Sequence, residues 1–408
     1  MEATAEITAA VKNVPALRFP EFEGEWEKKV FNNIVKVIDC KHRTPPYVDE
    51  GIPVVSPGSI NWGEIDLISP KKRVTEDEYQ SLMDHCSPDI GDMVFSRNQS
   101  IGIASILYKK EKFVLGQDTV LIQAKKADPF FVYFRLQTHP IQSLISRLSG
   151  GSTFSRINLK DVRELKMFVS NSMAEQHKIG SFLTAVENKI QQLSQKKELL
   201  EKYKKGVMQQ LFSQQIRFKD ENGNDFPEWK IKKAKDVFIN HSNKKHNGDL
   251  PILAITQDKG TVLRDSIDID IKSSEASIKS YKIIEAGDFI ISLRSFQGGI
   301  EYSDITGICS PAYTILKATI DIDTTFFKYY FKKESFIKQL SNTVVGIRDG
   351  KQISYDAFSG MKLLFPSVAE QAKIANFLTS IDNKINYTSK QLEQAQQFKK
   401  GLLQQMFV

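Results

Sequence analysis

EQHKIGSFLTAVENKIQQLSQKKELLEKYKKGVMQQLF, running from Glu175 to Phe212, decides the architecture. Apolar residues stand at Ile179, Leu183, Val186, Ile190, Leu193, Leu200, Val207 and Leu211. The steps between seam positions alternate four and three, and Lys197 and Lys204 occupy two of the positions. That is a heptad seam, narrower than the stripe of a helix lying on a globular core. The stretch holds no proline, and only Gly180 and Gly206 interrupt good helix formers. One continuous helix here would be ~57 Å long at ~1.5 Å per residue. It cannot bury its seam alone and needs a partner.

The partner lies in the same chain. Glu370–Ile385 reads EQAKIANFLTSIDNKI against EQHKIGSFLTAVENKI at Glu175–Ile190, ten identities in sixteen positions at an offset of 195. The helix ends match at that offset too, KKGVMQQLF from Lys204 and KKGLLQQMF from Lys399. The second seam runs through Ile374, Leu378, Ile381, Ile385, Leu392, Ala395, Leu402 and Met406. An internal repeat of this kind fixes the unit from which the fold is built.

Outside the helices the halves share a grammar. Each opens on a related motif, LRFPEFEGEWEKKVF from Leu17 and IRFKDENGNDFPEWKIKKAKDVF from Ile216. Each has an early extended run, GIPVVSPGSI from Gly51 and LPILAITQDKG from Leu250. A Gly-Asp pair then leads into a strand and polar tip, GDMVFSRNQSIGIASIL from Gly91 and GDFIISLRSFQGGIEYS from Gly287. Aromatic-rich helices are predicted near Phe130–Leu148 and Thr325–Asn342, each followed by a glycine-containing loop and a short strand. The fold class predicted is α+β: two tandem α+β domains separated by two long helices that form an antiparallel intramolecular coiled coil with pseudo-twofold symmetry. The boundaries are a tail 1–15, a first domain 16–174, a helix 175–213, a second domain 214–369 and a helix 370–408. Antiparallel pairing follows from the short connections, since parallel pairing would make the second domain bridge ~57 Å.

The 408 residues suffice for two sizeable cores. Met1–Pro15 lacks a basic start with an apolar run behind it, so no signal peptide is expected. No apolar run approaches the ~20 residues of a membrane helix. Cys40, Cys86 and Cys309 are scattered, which points to a reducing cytoplasm rather than a disulfide framework or zinc site. The net charge of +7 is spread thinly, with 21 basic against 20 acidic residues in Ala16–Ala174 and 22 against 20 in Gln214–Ala369. A basic balance permits nucleic-acid binding without establishing it.

Catalytic patterns are missing from the sequence. No two glycines have G-x-G spacing, and Gly58 and Gly63 precede Glu64 where a phosphate-binding loop needs lysine. Thr44-Pro45-Pro46-Tyr47 looks like the Asn-Pro-Pro-Tyr box of amino-methyltransferases, but threonine replaces the amine-binding amide and no methyl-donor loop accompanies it. A rigid proline turn is the better reading. The six histidines are dispersed, and neither a metal nor a cofactor is expected.

The EQ-x-KI-x-x-FL-x-x-x-x-x-KI pattern, present twice and each time after an α+β domain, resembles the specificity subunit of type I restriction–modification systems. The openings RFPEFEGEW and RF…FPEW and the ends KKG-x-x-QQ-x-F are similar to that family's Gram-positive members. The resemblance implies two target-recognition domains, each reading half of a split, asymmetric site in double-stranded DNA. It also implies helices that set the spacer, two docked methyltransferase subunits that modify adenine, and two restriction motor-nuclease subunits. The chain itself would be non-catalytic. Two other classes compete: a coiled-coil tether without a DNA role, and a stand-alone DNA methyltransferase.

Groove readout needs side chains with paired donors and acceptors on loops, and phosphate contacts need cations and hydroxyls. The candidates in the first domain are Lys41, His42, Arg43, Thr44, the tip Arg97, Asn98, Gln99 and Ser100, then Ser152, Thr153, Ser155 and Arg156. In the second they are Lys244, Lys245, His246, Gln257, the tip Arg294, Ser295, Phe296 and Gln297, then Arg348, Lys351 and Gln352.

Overall fold

The computed structural model describes residues 13–150, 155–257, 259–267, 275–343 and 353–408. The chain forms two compact units, one of residues 1–195 with 389–408 and one of residues 196–388. The first unit carries β1 (Glu27–Val30), β2 (Val35–Asp39), β3 (Ile52–Val55), β4 (Gly63–Glu64), β5 (Arg73–Val74) and α1 (Glu76–Met83). There follow β6 (Met93–Ser96), β7 (Ala104–Ile106), β8 (Val114–Leu115), β9 (Thr119–Ala124), α2 (Pro129–Leu136), α3 (His139–Ser149) and β10 (Lys166–Val169). The long helix α4 (Met173–Phe212) begins in this unit and ends in the other. A five-stranded sheet has the order β2-β9-β6-β7-β4, a three-stranded one β5-β3-β8, and β1 pairs with β10.

The second unit repeats the plan with β11 (Lys230–Lys233), β12 (Phe238–His241), β13 (Leu253–Thr256), β14 (Gly260–Leu263), β15 (Lys282–Ile284) and β16 (Phe289–Ile291). Then come β17 (Glu301–Tyr302), β18 (Gly307–Cys309), β19 (Thr314–Ala318), α5 (Thr324–Tyr330), α6 (Glu334–Ser341), β20 (Lys362–Phe365) and the long helix α7 (Val368–Gln405). Its central sheet runs β12-β19-β16-β17, so β12, β19, β16 and β17 stand where β2, β9, β6 and β7 stand in the first unit.

Side-chain alternation explains why these strands read as unbroken apolar runs. Met93, Phe95, Val120 and Ile122 enter the main core of the first unit, while Val94 and Leu121 enter a smaller core with Val54, Val55 and Phe113. The second unit does the same, with Phe289, Ile291 and Leu316 on one side and Ile290 and Ile315 on the other. A sheet covered on both faces has no polar side to alternate with. The shared Gly-Asp pair has a local reason too. Buried Asp92 accepts the Asp89 N–H and buried Asp288 the Glu285 N–H, both at 2.9 Å, closing the turn that feeds β6 or β16.

Each long helix serves both units. Ile179 and Leu183 of α4 join Leu402, Met406 and Phe407 from the end of the chain in the first core. Val207, Leu211 and Phe212 join Ile374, Leu378 and Ile381 of α7 in the second. Full burial of side chains of this size is worth roughly 1.5–3 kcal/mol each. Of the other seam residues, Leu193 is buried, while Val186, Ile190, Leu200, Ile385 and Leu392 are half-buried. The helix segments run antiparallel inside each unit. In the first, Lys399 pairs with Glu187 while Gln405, further on, accepts the Leu17 N–H near the start of α4. In the second, Lys204 pairs with Asp382 at 2.6 Å and Arg217 reaches Glu370. Glu187 and Asp382 occupy equivalent positions, as do Lys204 and Lys399.

A buried clip starts each long helix. Ser172 and Ser367 accept the N–H groups of Glu175 and Glu370, capping the first turns. Both glutamate side chains are fully buried. Glu175 takes two hydrogen bonds from Arg18, at 2.7 and 2.9 Å, and Glu370 takes two from Arg217, at 3.1 and 3.0 Å. These contacts raise both guanidinium pKa values, the hydrogen bond being the largest cause. The next residue bridges to the domain. Gln176 accepts the Asp128 N–H and Gln371 the Asp323 N–H, each at 2.9 Å, and both amides donate backward to the carbonyls of Ser170 and Pro366. The Arg-Phe openings and the Glu-Gln pairs are therefore two halves of one contact.

The aromatic segments differ from the sequence expectation, each being two helices rather than one. Pro140 has no N–H and would clash with the Leu136 carbonyl in a continuous helix, so the chain turns at Thr138. No proline breaks the second segment. There the turn at Lys333 lets Phe331 and Phe336 pack fully buried, with ring centroids 4.9 Å apart.

Two outcomes follow for stability. A Cβ on Gly180 would stand 2.7 Å from Asp128 Oδ1 and 2.9 Å from the Phe131 N, at the capped start of α2. Gly180→Ala is expected to destabilise by about 1–3 kcal/mol through overpacking, outweighing a helix-propensity gain of about 1 kcal/mol. Equilibrium urea unfolding reads the sign, and a rise in stability would refute the packing argument. Arg217→Ala is expected to cost about 3 kcal/mol because it strands a buried carboxylate. The Arg217→Ala/Glu370→Ala double variant should lose less than the two single losses added, and strict additivity would show that the pair does not interact.

Candidate nucleic-acid interface

In the first unit the structure gathers residues from four separate stretches: the turn after β2, the tip after β6, the turn before β9 and the segment at 155–157. Arg97 is buried and donates from Nη1 to Asp39 Oδ1 at 2.9 Å and from Nε to the Ile157 carbonyl at 3.3 Å. Its side chain holds the tip in place instead of facing outward. His42 is exposed, with Nε2 3.1 Å from Asp39 Oδ2. Asn98 donates to Asp118 Oδ2 at 2.7 Å, and exposed Arg156 pairs with Asp118 Oδ1 at 2.6 Å. Backbone bonds from Arg97 N to Asp118 O and from Ile157 N to Arg97 O, both 2.9 Å, complete the cluster. Gln117 donates to Thr44 Oγ1 at 3.1 Å, tying in the Thr-Pro-Pro-Tyr turn.

The remaining first-unit candidates are mostly engaged locally. Lys41 pairs with Asp84 at 2.7 Å and Arg43 with Glu78 at 2.6 Å. Gln99 and Ser155 are exposed and Ser100 half-buried. Ser152 and Thr153 lie outside the described residues. Charge is balanced here, since Arg97, Arg156, Lys41 and Arg43 each face a carboxylate, so a polyanion would have to compete with internal partners. Asp39, Gln117 and Asp118 are residues the sequence reading did not select. Their chemistry is ordinary, and only the fold places them beside the tip.

Asp39, Cys40 and His42 bring three ligand-type atoms within 4.8 Å of one another. The Arg97 guanidinium already sits on Asp39, and burial pushes the Cys40 thiol pKa up. Both oppose a cation at this point, so the group is better described as the ion pair that anchors the tip.

The second unit is arranged differently. Arg294 and Gln297 are exposed at the tip after β16. Ser295 is buried and accepts the Ser292 N–H at 2.8 Å, locking the turn, while Phe296 packs against the main core. Gln257 donates to the Arg294 carbonyl at 3.1 Å, which joins the β13–β14 turn to the tip. Lys244 and Lys245 are exposed. His246 accepts the Gly248 N–H on Nδ1 at 3.1 Å and its Nε2 lies 3.0 Å from the Tyr281 carbonyl, so both ring nitrogens are engaged locally. Arg348, Lys351 and Gln352 lie outside the described residues. Among the described residues, no helix is long and apolar enough to cross a membrane.

Comparison with known proteins places this arrangement. The family model described as "Type I restriction modification DNA specificity domain" matches residues 23–202 and again 227–397. A Methanocaldococcus jannaschii protein named "Putative type I restriction enzyme MjaX specificity subunit" is 24% identical over 416 residues, covering 96% of this chain and 95% of its own. A second from that organism, the type I restriction enzyme MjaVIII specificity subunit, is 24% identical over 74% of this chain and 75% of its own length. Among solved structures, the type I restriction–modification S subunit from M. genitalium superposes with a TM-score of 0.62 at 17% identity, covering 97% of this chain and 99% of that one. At that identity it speaks for the fold alone. With both halves matched by one family model, the chain belongs to the type I restriction–modification DNA specificity family.

Proposed function

We propose that this chain is the non-catalytic specificity subunit of a cytoplasmic type I restriction–modification complex and that it binds double-stranded DNA. Each unit reads one half of a bipartite site, and the two long helices set the spacer and dock two methyltransferase subunits. Two restriction subunits complete the nuclease. The observation that carries the reading is the double match to a DNA specificity domain on a repeated framework whose tips differ. Different tips, Arg97 tied to Asp39 in one unit and Arg294 exposed in the other, suit two different half-sites and hence an asymmetric motif.

The test is co-expression with a type I methyltransferase subunit that assembles with this chain, followed by mapping of methylated adenines. One split, asymmetric motif that appears only with this chain is expected; assembly without any motif would overturn the reading. Binding by the assembled complex should also weaken steeply with salt, as phosphate contacts release counterions.

The two tip arginines should separate. Arg97→Ala is expected to cost about 1.5–3 kcal/mol of stability, the range for hydrogen bonds to charged groups. Arg294→Ala should leave stability within about 0.5 kcal/mol. It should instead weaken specific DNA binding by ~1–3 kcal/mol at one half-site. Urea unfolding and titration of DNA onto the complex check the pair, and reversed behaviour would exchange their roles.

A further inference from the structure

Backbone strain singles out one corner of the first unit. Among the described residues, three that are not glycine have positive φ: Gln99 at 51°, Asp118 at 64° and Gln214 at 61°. Gln214 stands two residues past the end of α4, where a left-handed residue commonly ends a helix. Asp118 is the third residue of the turn that the Thr119 N–H closes on the Gly116 carbonyl at 3.2 Å, where aspartate readily turns left-handed. Gln99, by contrast, is neither glycine nor one of the residue types that favour that region. Both belong to the cluster around the tip. A left-handed conformation at such residues persists only where surrounding contacts over-determine it, and such strain gathers at functional sites.

The contact that over-determines it is the Asp118 side chain. One oxygen receives the Asn98 amide at 2.7 Å and the other the Arg156 guanidinium at 2.6 Å, while the Asp118 carbonyl receives the Arg97 N–H at 2.9 Å. One residue thus fixes the exit of β6, the entry to β9 and the segment at 155–157. On either side of the Asn98–Asp118 bond stand two exposed amides, Gln99 and Gln117. Among the described residues, Gln117 spends one amide hydrogen on Thr44 and retains the other, together with its carbonyl. That remaining pair is the donor–acceptor combination that suits the N6/N7 edge of adenine in a major groove.

The geometry points to Gln117 as a base-reading residue of the first unit and to Asp118 as the positioning residue that presents it beside Gln99. The inference rests on the DNA-specificity reading and deepens it by naming residues outside the tip. Asp118 touches no base; it holds the loops that do.

The experiment maps methylated adenines for the full complex carrying the wild-type chain, Gln117→Ala or Asp118→Asn. Asparagine tolerates the left-handed backbone, so the second variant removes charge without adding strain. Gln117→Ala is expected to relax one base position in one half-site, with methylation of sites substituted there rising about tenfold. Asp118→Asn is expected to relax two or more neighbouring positions of that same half-site. The other half-site should be read as before in both, a readout that a purely structural loss would not produce. Variants that keep the wild-type motif, or that lose methylation evenly at every site, overturn the inference while a split wild-type motif leaves the specificity reading intact. A wild-type complex with no split motif would instead reject that reading, and this inference with it.

Discussion

A carboxylate with no exposure to water holds each half of this protein together. Glu175 and Glu370 sit at the starts of the two long helices, and a buried charge of this kind is tolerable only with a matched partner. Arg18 and Arg217 supply it from the opening motif of each half, some 150 residues earlier in sequence. Once the clip is made, the opening strand is committed: β1 pairs with β10 and β11 with β20, each immediately before the helix. Gln176 and Gln371 then fasten the aromatic helices to the same turn. The hydrophobic cores supply most of the energy, but hydrophobic contact is non-directional. The clip is what specifies the entry angle of the helix against its domain.

The two clips are close relatives rather than copies. Glu370 also accepts the Trp229 indole N–H at 2.9 Å, whereas the Trp26 indole nitrogen has no hydrogen-bond partner among the described residues. In the first half Ser170 Oγ bonds to Glu175 instead, at 2.5 Å. The carboxylate is fully satisfied in both cases, by a hydroxyl in one and an indole in the other. Satisfaction of the buried charge is the constraint, and the identity of the third donor is free to vary.

Much of this was legible beforehand because a coiled-coil seam and a repeat are local patterns. The heptad spacing identified both helices, and the matching ends pointed to an intramolecular pair. The pairing inside each unit explains one of the two seam lysines: Lys204 meets Asp382, as its counterpart Lys399 meets Glu187, whereas Lys197 pairs with Glu201 on its own helix. What sequence did not reveal was that each helix is divided between two cores, since Phe212 and Phe407 read merely as helix ends. Nor did it reveal the break at Thr138, where Pro140 outweighs a strong aromatic periodicity. The site was less legible still. Arg97 looks like a groove-facing cation in any loop of the form Ser-Arg-Asn-Gln, and only the position of Asp39, 58 residues away, turns it inward.

That inward turn has a consequence for how such a protein changes its target. The strands, caps and clips recur in both units, while the tips are built from different side chains on equivalent strands. In the first unit an arginine is consumed in supporting the loop and amides are left outside; in the second a buried serine and a core-packed phenylalanine support the loop and the arginine is left outside. Support and display are exchanged between residue types within one hairpin. The framework's stability resides in the sheet and clip, so the tip can redistribute these tasks without disturbing the fold. A substitution at the tip therefore has to be judged by which task that residue performs, because an arginine that supports and an arginine that displays lie in the same stretch of the repeat and share none of their energetics.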